Sequence, residues 1–337
     1  MSKKVAIIKG DGVGPELAES AMKVVKASGA SIEFLPCEGG AEWWEKNGGS
    51  TLIPEASWKL MDESDAVFKG PTTTPGGAGS PRSVAVSIRQ RYDLYANVRP
   101  IKTYAGTPAP LGAVDFVCVR EGTEGLYFGE EVKLTDDVYI AIRKITRPAC
   151  KRIAKYAFEE ATRRGWKSVV AIHKSNILKK TCGTFLEECE SVSKDYPNVE
   201  LEEYHIDNIA QQLVKNPTIF NNKVLMSTNL FMDVISEECS ALVGSIGLIY
   251  SANIGDDYAM FEPAHGSAPK YKGMDKVNPV ATVLAAAWML DYLGDKKRSQ
   301  AIFSATEKVI AEGKKVTYDM GGAAKSSEMV EEIIKNL

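Results

Sequence analysis

Three observations predict an α/β layered fold for this chain. Short apolar runs of strand length alternate with stretches of helical periodicity along its 337 residues. The first such run, KVAIIKG, passes through a glycine-rich turn directly into a helical pattern. The composition, 44% apolar and 25% charged, is ordinary for a globular protein, over a length that can hold two domains with a buried core.

Taken in order, the β-branched run at 4–10 is a strand. The segment GDGVGPELAESAMKVVKAS then places Pro15 where a helix tolerates it, in the first turn, and repeats apolar residues at helical spacing from Leu17 to Val25. Gly10, Gly12 and Gly14 have the spacing G-x-G-x-G-P, which is not the dinucleotide fingerprint. They are read as a tight strand-to-helix turn that needs glycine for backbone reasons. Further strands follow at DAVFKG (65–70), FVCVRE (116–121), KSVVAIHK (167–174) and KVLMST (223–228). Helical patterns run over 147–165, 178–194, 231–242, 279–293 and 299–312 and supply the covering layers. The segment PGGAGSP (75–81) is expected to be a mobile loop, and no internal repeat is present.

Composition also excludes several classes of function. With 41 basic and 44 acidic residues, a net charge of -3 and no block of like charges, a nucleic-acid surface is not expected. The N-terminal apolar run is too short for a signal peptide, and VATVLAAAWML (280–290) is too short to cross a bilayer and reads as a buried helix. The six cysteines (37, 118, 150, 182, 189, 239) form no CxxC pair and have no histidine at zinc-ligand spacing, so a reduced, cytoplasmic setting is expected.

The chemistry-bearing residues begin with three arginines. Arg89 and Arg99 lie in SVAVSIRQRYDLYANVRP (83–100), and Arg120 opens REGTEGLY. A guanidinium is a planar fork of donors that matches a carboxylate, so a substrate with two or three carboxylates is expected. Asp233 and Glu237 are four apart in the helical pattern FMDVISEECSAL, which puts both on one face where they can hold a divalent cation.

Four blocks in order, GDGVGPE, the arginine-bearing segment 83–100, NLFMDVISE (229–237) and FEPAHGSAPKYKGMDKVNP (261–279), resemble the β-decarboxylating dehydrogenases of isocitrate, homoisocitrate, isopropylmalate and tartrate. The resemblance covers the whole chain. It implies an isopropylmalate-dehydrogenase-like two-domain fold, with a mixed sheet in each layered domain and the active site in the interdomain cleft. The large domain would be 1–100 plus 255–337 and the small one 101–254, with 130–146 as an arm joining subunits. Within the family the chain is most similar to NADP-type isocitrate dehydrogenases, through GPTTTP (70–75), Arg82-Ser83 and YAGTPAP (104–110). It departs at Ala85, where isocitrate enzymes usually carry Asn. The Ala85/Val86 pair could make room for one more methylene, so homoisocitrate or 3-isopropylmalate is the alternative substrate.

The resemblance also implies roles. Ser83, Arg89, Arg99 and Arg120 would bind substrate, Lys174 would relay the hydroxyl proton, and Tyr127 would protonate C3 after CO2 leaves. Mg2+ or Mn2+ would be held by Asp207 and Asp233, with Glu237, which stands where the family usually has Asp, in a water-mediated or outer role. On the cofactor side it implies Thr74, Asn176, His265, Gly266, Ser267, Ala268, Lys270, Tyr271, Asn278 and Tyr318. Lys270 and Tyr271 replace the acidic and apolar pair of NAD-using relatives and favour NADP, while Gly322 falls where NADP enzymes often have an arginine. Lys174 and Asp207 would reach into the site of a second copy, making at least a homodimer obligatory. A non-catalytic regulatory subunit is the alternative from another class. The joint presence of Lys174, Tyr127, Asp207 and Asp233 argues against it.

Overall fold

The computed structural model describes residues 2–77 and 79–337. The opening strand β1 (Lys3–Ile8) leads through the glycine turn into α1 (Gly14–Ala27), with Pro15 in its first turn. At Gly10, φ is +83° and a Cβ would lie 2.1 Å from the carbonyl oxygen of Pro71, so only glycine fits. The turn's own amides are already used: Asp11 N–H donates to Pro71 O and Val13 N–H to Ser267 O, both at 2.9 Å. It is a structural joint between three segments, as its spacing predicts, rather than a phosphate cradle.

Next come β2 (Ile32–Cys37), α2 (Ala41–Asn47), α3 (Glu55–Asp62) and β3 (Ala66–Lys69). Residues 71–77 and 79–83 form neither helix nor strand, and Ala78 of the expected loop lies outside the described residues. The chain continues as α4 (Val84–Arg91), β4 (Ala96–Lys102) and β5 (Asp115–Glu121), then the hairpin β6 (Glu131–Thr135) and β7 (Val138–Ala141). The middle of the chain is α5 (Arg147–Arg164), β8 (Ser168–His173), α6 (Thr181–Ser193), β9 (Glu200–His205), α7 (Ile206–Lys215), β10 (Lys223–Ser227) and α8 (Asn229–Ala241). It closes with β11 (Tyr250–Ile254), β12 (Ala259–Pro263), α9 (Val280–Tyr292), α10 (Lys296–Glu312) and α11 (Ser326–Lys335).

Ten strands form one mixed sheet in the order β2-β1-β3-β12-β11-β4-β5-β10-β8-β9. The flanks are parallel, while β12, β11, β4 and β5 pair antiparallel in the middle. A mixed sheet is expected in each layered domain; the two run into one because β4 and β5 pair over seven residues, from Ala96↔Glu121 to Lys102↔Asp115.

Alternation along each strand divides the core between the two faces. On one face a continuous core joins Val5 and Ile7 of β1 to buried residues of α1, α7, α8, α9, α10 and α11. On the other, Ala6 and Ile8 pack with α3 and α4, and Val117 and Val119 with α5 and α6. Helix α9 is buried nearly all round, as its sequence predicts. All six cysteines are free and buried. No helix among the described residues is long and apolar enough to cross a membrane.

Register aligns the polar residues of the middle strands. Asn253 pairs with Asn97 across β11 and β4, and Asn97 with Arg120 across β4 and β5. Paired residues in an antiparallel sheet project to the same face, so three segments distant in sequence place a row of polar side chains together.

Candidate active site

All three predicted arginines are buried and lie close to one another. Arg120, at the end of β5, is 3% exposed. Its Nε and Nη2 donate to Asn229 Oδ1 at 2.9 and 2.7 Å, and its Nη1 pairs with Asp233. The ring of Tyr127 lies 4.8 Å from its guanidinium carbon, and the Tyr127 hydroxyl also donates to Asp233. Arg99 donates through Nε to Asn97 Oδ1 at 3.2 Å and pairs through Nη1 with Glu237 at 2.5 Å. Asp233 and Glu237 thus occupy one face of α8, as their spacing predicts, and each meets one arginine.

Arg89 is held by a deeper network. Its Nε donates to Asn253 Oδ1 at 2.7 Å, and its Nη2 lies 3.6 Å from Glu262, which also pairs with the buried Lys69 at 2.8 Å. Asn253 donates to Glu262 at 2.7 Å and accepts from Asn97 at 2.8 Å, which links Arg89 to Arg99. Burial raises the Glu262 carboxyl, but Lys69 and Arg89 outweigh it and hold the group at about 2. Burial and the neighbouring Arg89 push Arg120 down to about 10, still charged at neutral pH. Burial, then the bond to Asp233, raises the Tyr127 phenol, so it is neutral and can donate a proton.

Two cavities flank this cluster. One of about 210 Å³ is lined by Lys69, Thr74, Ser83, Ala85, Arg89, Arg99, Ser251, Glu262 and His265. A second of about 280 Å³ is lined by Ser245, Gly247, His265, Gly266, Ala268, Tyr271, Asn278, Tyr318 and Asp319. They meet at His265 and Gly266. His265 Nε2 is buried without a hydrogen-bond partner there, and burial lowers the pKa of the ring.

The structure gathers most of the expected residues around these cavities, with exceptions. Ser83 Oγ caps α4 by accepting from Val86 N–H at 3.2 Å. Thr74, expected beside the cofactor, lines the arginine cavity. Ser267 is buried and bonded to Thr73 Oγ1 at 2.6 Å, which spends its hydroxyl on the loop. Lys174 pairs with Asp207 at 2.7 Å, and that contact lowers the Asp207 carboxyl; Asn176 is exposed two residues beyond Lys174. The expected set Asp207, Asp233 and Glu237 does not come together in one chain. Among the described residues no three His, Cys, Asp or Glu side chains are grouped to hold a metal. Asp207 begins α7, after the edge strand β9, whereas Asp233 and Glu237 project from α8, after β10.

Sequence reasoning missed Lys69, Asn97, Asn229, Asn253 and Glu262. Each is a single polar residue in or beside an apolar strand, and only Lys69 and Glu262 carried a signal, as charges inside runs otherwise fit for a core.

An isocitrate/isopropylmalate dehydrogenase family model matches residues 4–333. The chain belongs to that family. Among relatives of this dehydrogenase, the 3-isopropylmalate dehydrogenase of Methanothermobacter thermautotrophicus is 40% identical over 337 residues, covering 100% of this chain and 99% of that protein. The homoisocitrate dehydrogenase of Methanocaldococcus jannaschii is 39% identical, covering 98% and 96%. The crystal structure of isocitrate dehydrogenase from Methylococcus capsulatus superposes with a TM-score of 0.94 at 39% identity, covering 100% of this chain and 99% of that one. Family members are β-decarboxylating dehydrogenases that use NAD(P) and a divalent metal ion on small-molecule substrates, and they are commonly homodimers. The chain is thus an enzyme of metal-dependent oxidative decarboxylation, from a family whose substrates differ.

Proposed function

We propose that this dehydrogenase converts isocitrate to 2-oxoglutarate and CO2 with reduction of NADP, with Mg2+ or Mn2+. The observation that carries the substrate class is the trio Arg89, Arg99 and Arg120, each at most 7% exposed and each fixed by an asparagine. Such a set, desolvated and oriented in advance, fits several carboxylates on one small molecule. The walls around it are mainly polar, with Lys69, Thr74, Ser83 and Ser251, which suits a third carboxylate better than an isopropyl group.

The donor set suits a hard cation, because Asp233 and Glu237 offer carboxylate oxygens from one helix face. When bound, the metal supplies Lewis-acid polarisation of the substrate's oxygens. Asp207 and Lys174 of each subunit serve the site of the neighbouring copy, and the active unit is at least a homodimer. The β6–β7 hairpin supports this arm role: it forms a two-stranded sheet of its own and exposes Leu134, Val138, Tyr139 and Ile140. The active site lies between a large domain, 1–100 plus 255–337, and a small one, 101–254.

In the oxidation, Lys174, deprotonated and released from its Asp207 ion pair, relays the hydroxyl proton, while bound NADP+ would accept the C2 hydride. The carboxylate on C3 then departs as CO2: the bonding pair it leaves forms a C2=C3 double bond as the C2=O π pair moves onto oxygen, and Tyr127 then gives a proton to C3 as C2=O reforms. His265, Ala268, Tyr271, Asn278 and Tyr318 would hold the nucleotide, with the unpartnered His265 Nε2 available to it.

Homoisocitrate is the second reading, because Ala85 lines the arginine cavity and leaves room for a longer chain. Initial rates with isocitrate, homoisocitrate and 3-isopropylmalate, each with NADP and NAD, and with Mg2+ or chelator, test both. The highest kcat/KM is expected for isocitrate with NADP, abolished by chelator. A higher value for homoisocitrate or 3-isopropylmalate overturns the substrate reading and leaves the mechanism in place.

A further inference from the structure

The rim of the second cavity carries a charge that the NADP reading does not use. Three lysines stand in the run 270–276, and they are not equivalent. Lys272 is turned onto Glu42 at 2.6 Å. Lys270 and Lys276 are exposed, and among the described residues neither meets a carboxylate within ion-pair distance. Lys270 Nζ lies 4.9 Å from the centre of the Tyr271 ring. Lys276 Nζ lies 4.6 Å from the Tyr318 ring and 5.8 Å from the Tyr271 ring, so it stands between the two tyrosines, whose centres are 6.3 Å apart.

Gly322 cannot itself supply a cation. A Cβ there would lie 2.0 Å from Val316 O and 2.7 Å from Val316 C, both backbone atoms, so no side chain can stand at that position without moving the turn. The carboxylate that lines the cavity is also restrained. Asp319 accepts from Ser245 Oγ at 2.5 Å, Asn278 Nδ2 at 2.9 Å and Thr317 Oγ1 at 2.6 Å, which fixes it away from the lysines. The Tyr318 hydroxyl and the Lys270 and Lys276 ammoniums lower the Tyr271 phenol, consistent with a site that favours negative charge.

We infer that Lys276 is a specificity-determining residue that reads the 2′-phosphate of NADP, paired with Lys270 across the Tyr271 and Tyr318 rings, in place of a cation that Gly322 cannot carry. The inference rests on the NADP reading. Two free ammoniums, 4.9 and 5.8 Å from the Tyr271 ring centre, and two phenols supply the donors that a phosphate dianion takes, whereas a ribose hydroxyl gains little from a second ammonium. Because the site is exposed, each contact is screened and its effect is moderate.

Isothermal titration of the full-length protein with 2′,5′-ADP and with 5′-AMP tests it, on the wild type, Lys276→Met and Lys270→Met. The wild type should bind 2′,5′-ADP more tightly than 5′-AMP. Lys276→Met should weaken 2′,5′-ADP by about tenfold, as Lys270→Met does, from loss of one charge-assisted contact. Its 5′-AMP affinity should stay within about twofold, as for an ordinary surface substitution. If the wild type discriminates and Lys276→Met discriminates equally well, or loses both ligands alike, the role of Lys276 is overturned while the NADP reading stands. If the wild type binds both ligands alike, the NADP reading fails and takes the inference with it.

Discussion

The arginine pocket and the lysine–tyrosine rim both concentrate positive charge, but they are built in opposite ways. In the pocket, Arg89, Arg99 and Arg120 are 7%, 7% and 3% exposed, and each has its Nε committed to an asparagine before any ligand arrives. On the rim, Lys270 and Lys276 are exposed, and Tyr318 is 47% exposed. A buried charge costs desolvation, which is offset only by a complete set of partners, so the pocket is rigid and intolerant of change. An exposed charge keeps its water and costs little, so the rim can be altered without disturbing the fold. On the proposed function, substrate recognition is thereby tied to stability in this enzyme, and cofactor choice is not.

The largest expected effect tests the rigid half. Arg89→Met should lower kcat/KM by about a thousandfold, since losing one buried charged contact costs roughly 4 kcal/mol; a loss of only a few-fold would mean that the pocket is not the substrate site. Glu262→Gln should come next, because it leaves Lys69 and Arg89 buried without their shared counter-charge. Denaturant unfolding should show a loss of about 3–5 kcal/mol.

That carboxyl also predicts a pH dependence. Its folded value is depressed to about 2 from an ordinary value of 4.5. The stability it contributes is therefore complete above pH 4.5 and is lost as pH falls from there toward 2. Wild-type stability should fall more steeply across that window than that of Glu262→Gln, and parallel curves would contradict the network.

Tyr127→Phe tests a group between the two kinds of environment, because Tyr127 is half-exposed yet bonded to Asp233. Decarboxylation should slow by about a hundredfold, the scale of a general acid, with a smaller effect on hydride transfer. Equal damage to both half-reactions would count against its proton-donor role. The smallest effect belongs to the rim. Lys270→Asp with Tyr271→Ile should move the NADP/NAD efficiency ratio by about tenfold toward NAD, from loss of charge-assisted contacts, with an unfolding midpoint close to wild type. An unchanged ratio defeats the cofactor assignment, and a large drop in stability defeats the contrast itself.

Much of the fold was legible because its signals are local. The strands at 66–69, 115–121, 168–173 and 223–227, and helices such as 147–164 and 280–292, stand where the periodicity predicts them. The strands at 96–102, 250–254 and 259–263 were not read as strands, because Asn97, Arg99, Asn253 and Glu262 interrupt the apolar pattern that marks one. Those interruptions belong to the candidate site: Asn97, Asn253 and Glu262 are the residues that hold Arg89 and Arg99.

What this sequence determined by itself was the alternation of element types, the glycine joint at residues 10–14, the arginines and the paired carboxylates of α8, and the resemblance that led to the family. These follow from spacing along the chain. The tertiary structure alone decided that Asn253, Asn97 and Arg120 form one row across three strands, that Glu262 joins Lys69 to Arg89, and that Asp207 stays apart from Asp233 in a single chain. The physical reason is that register and burial are collective. Pairing brings residues far apart in sequence onto one face, and only the removal of water there turns common polar side chains into a network whose every member needs the others.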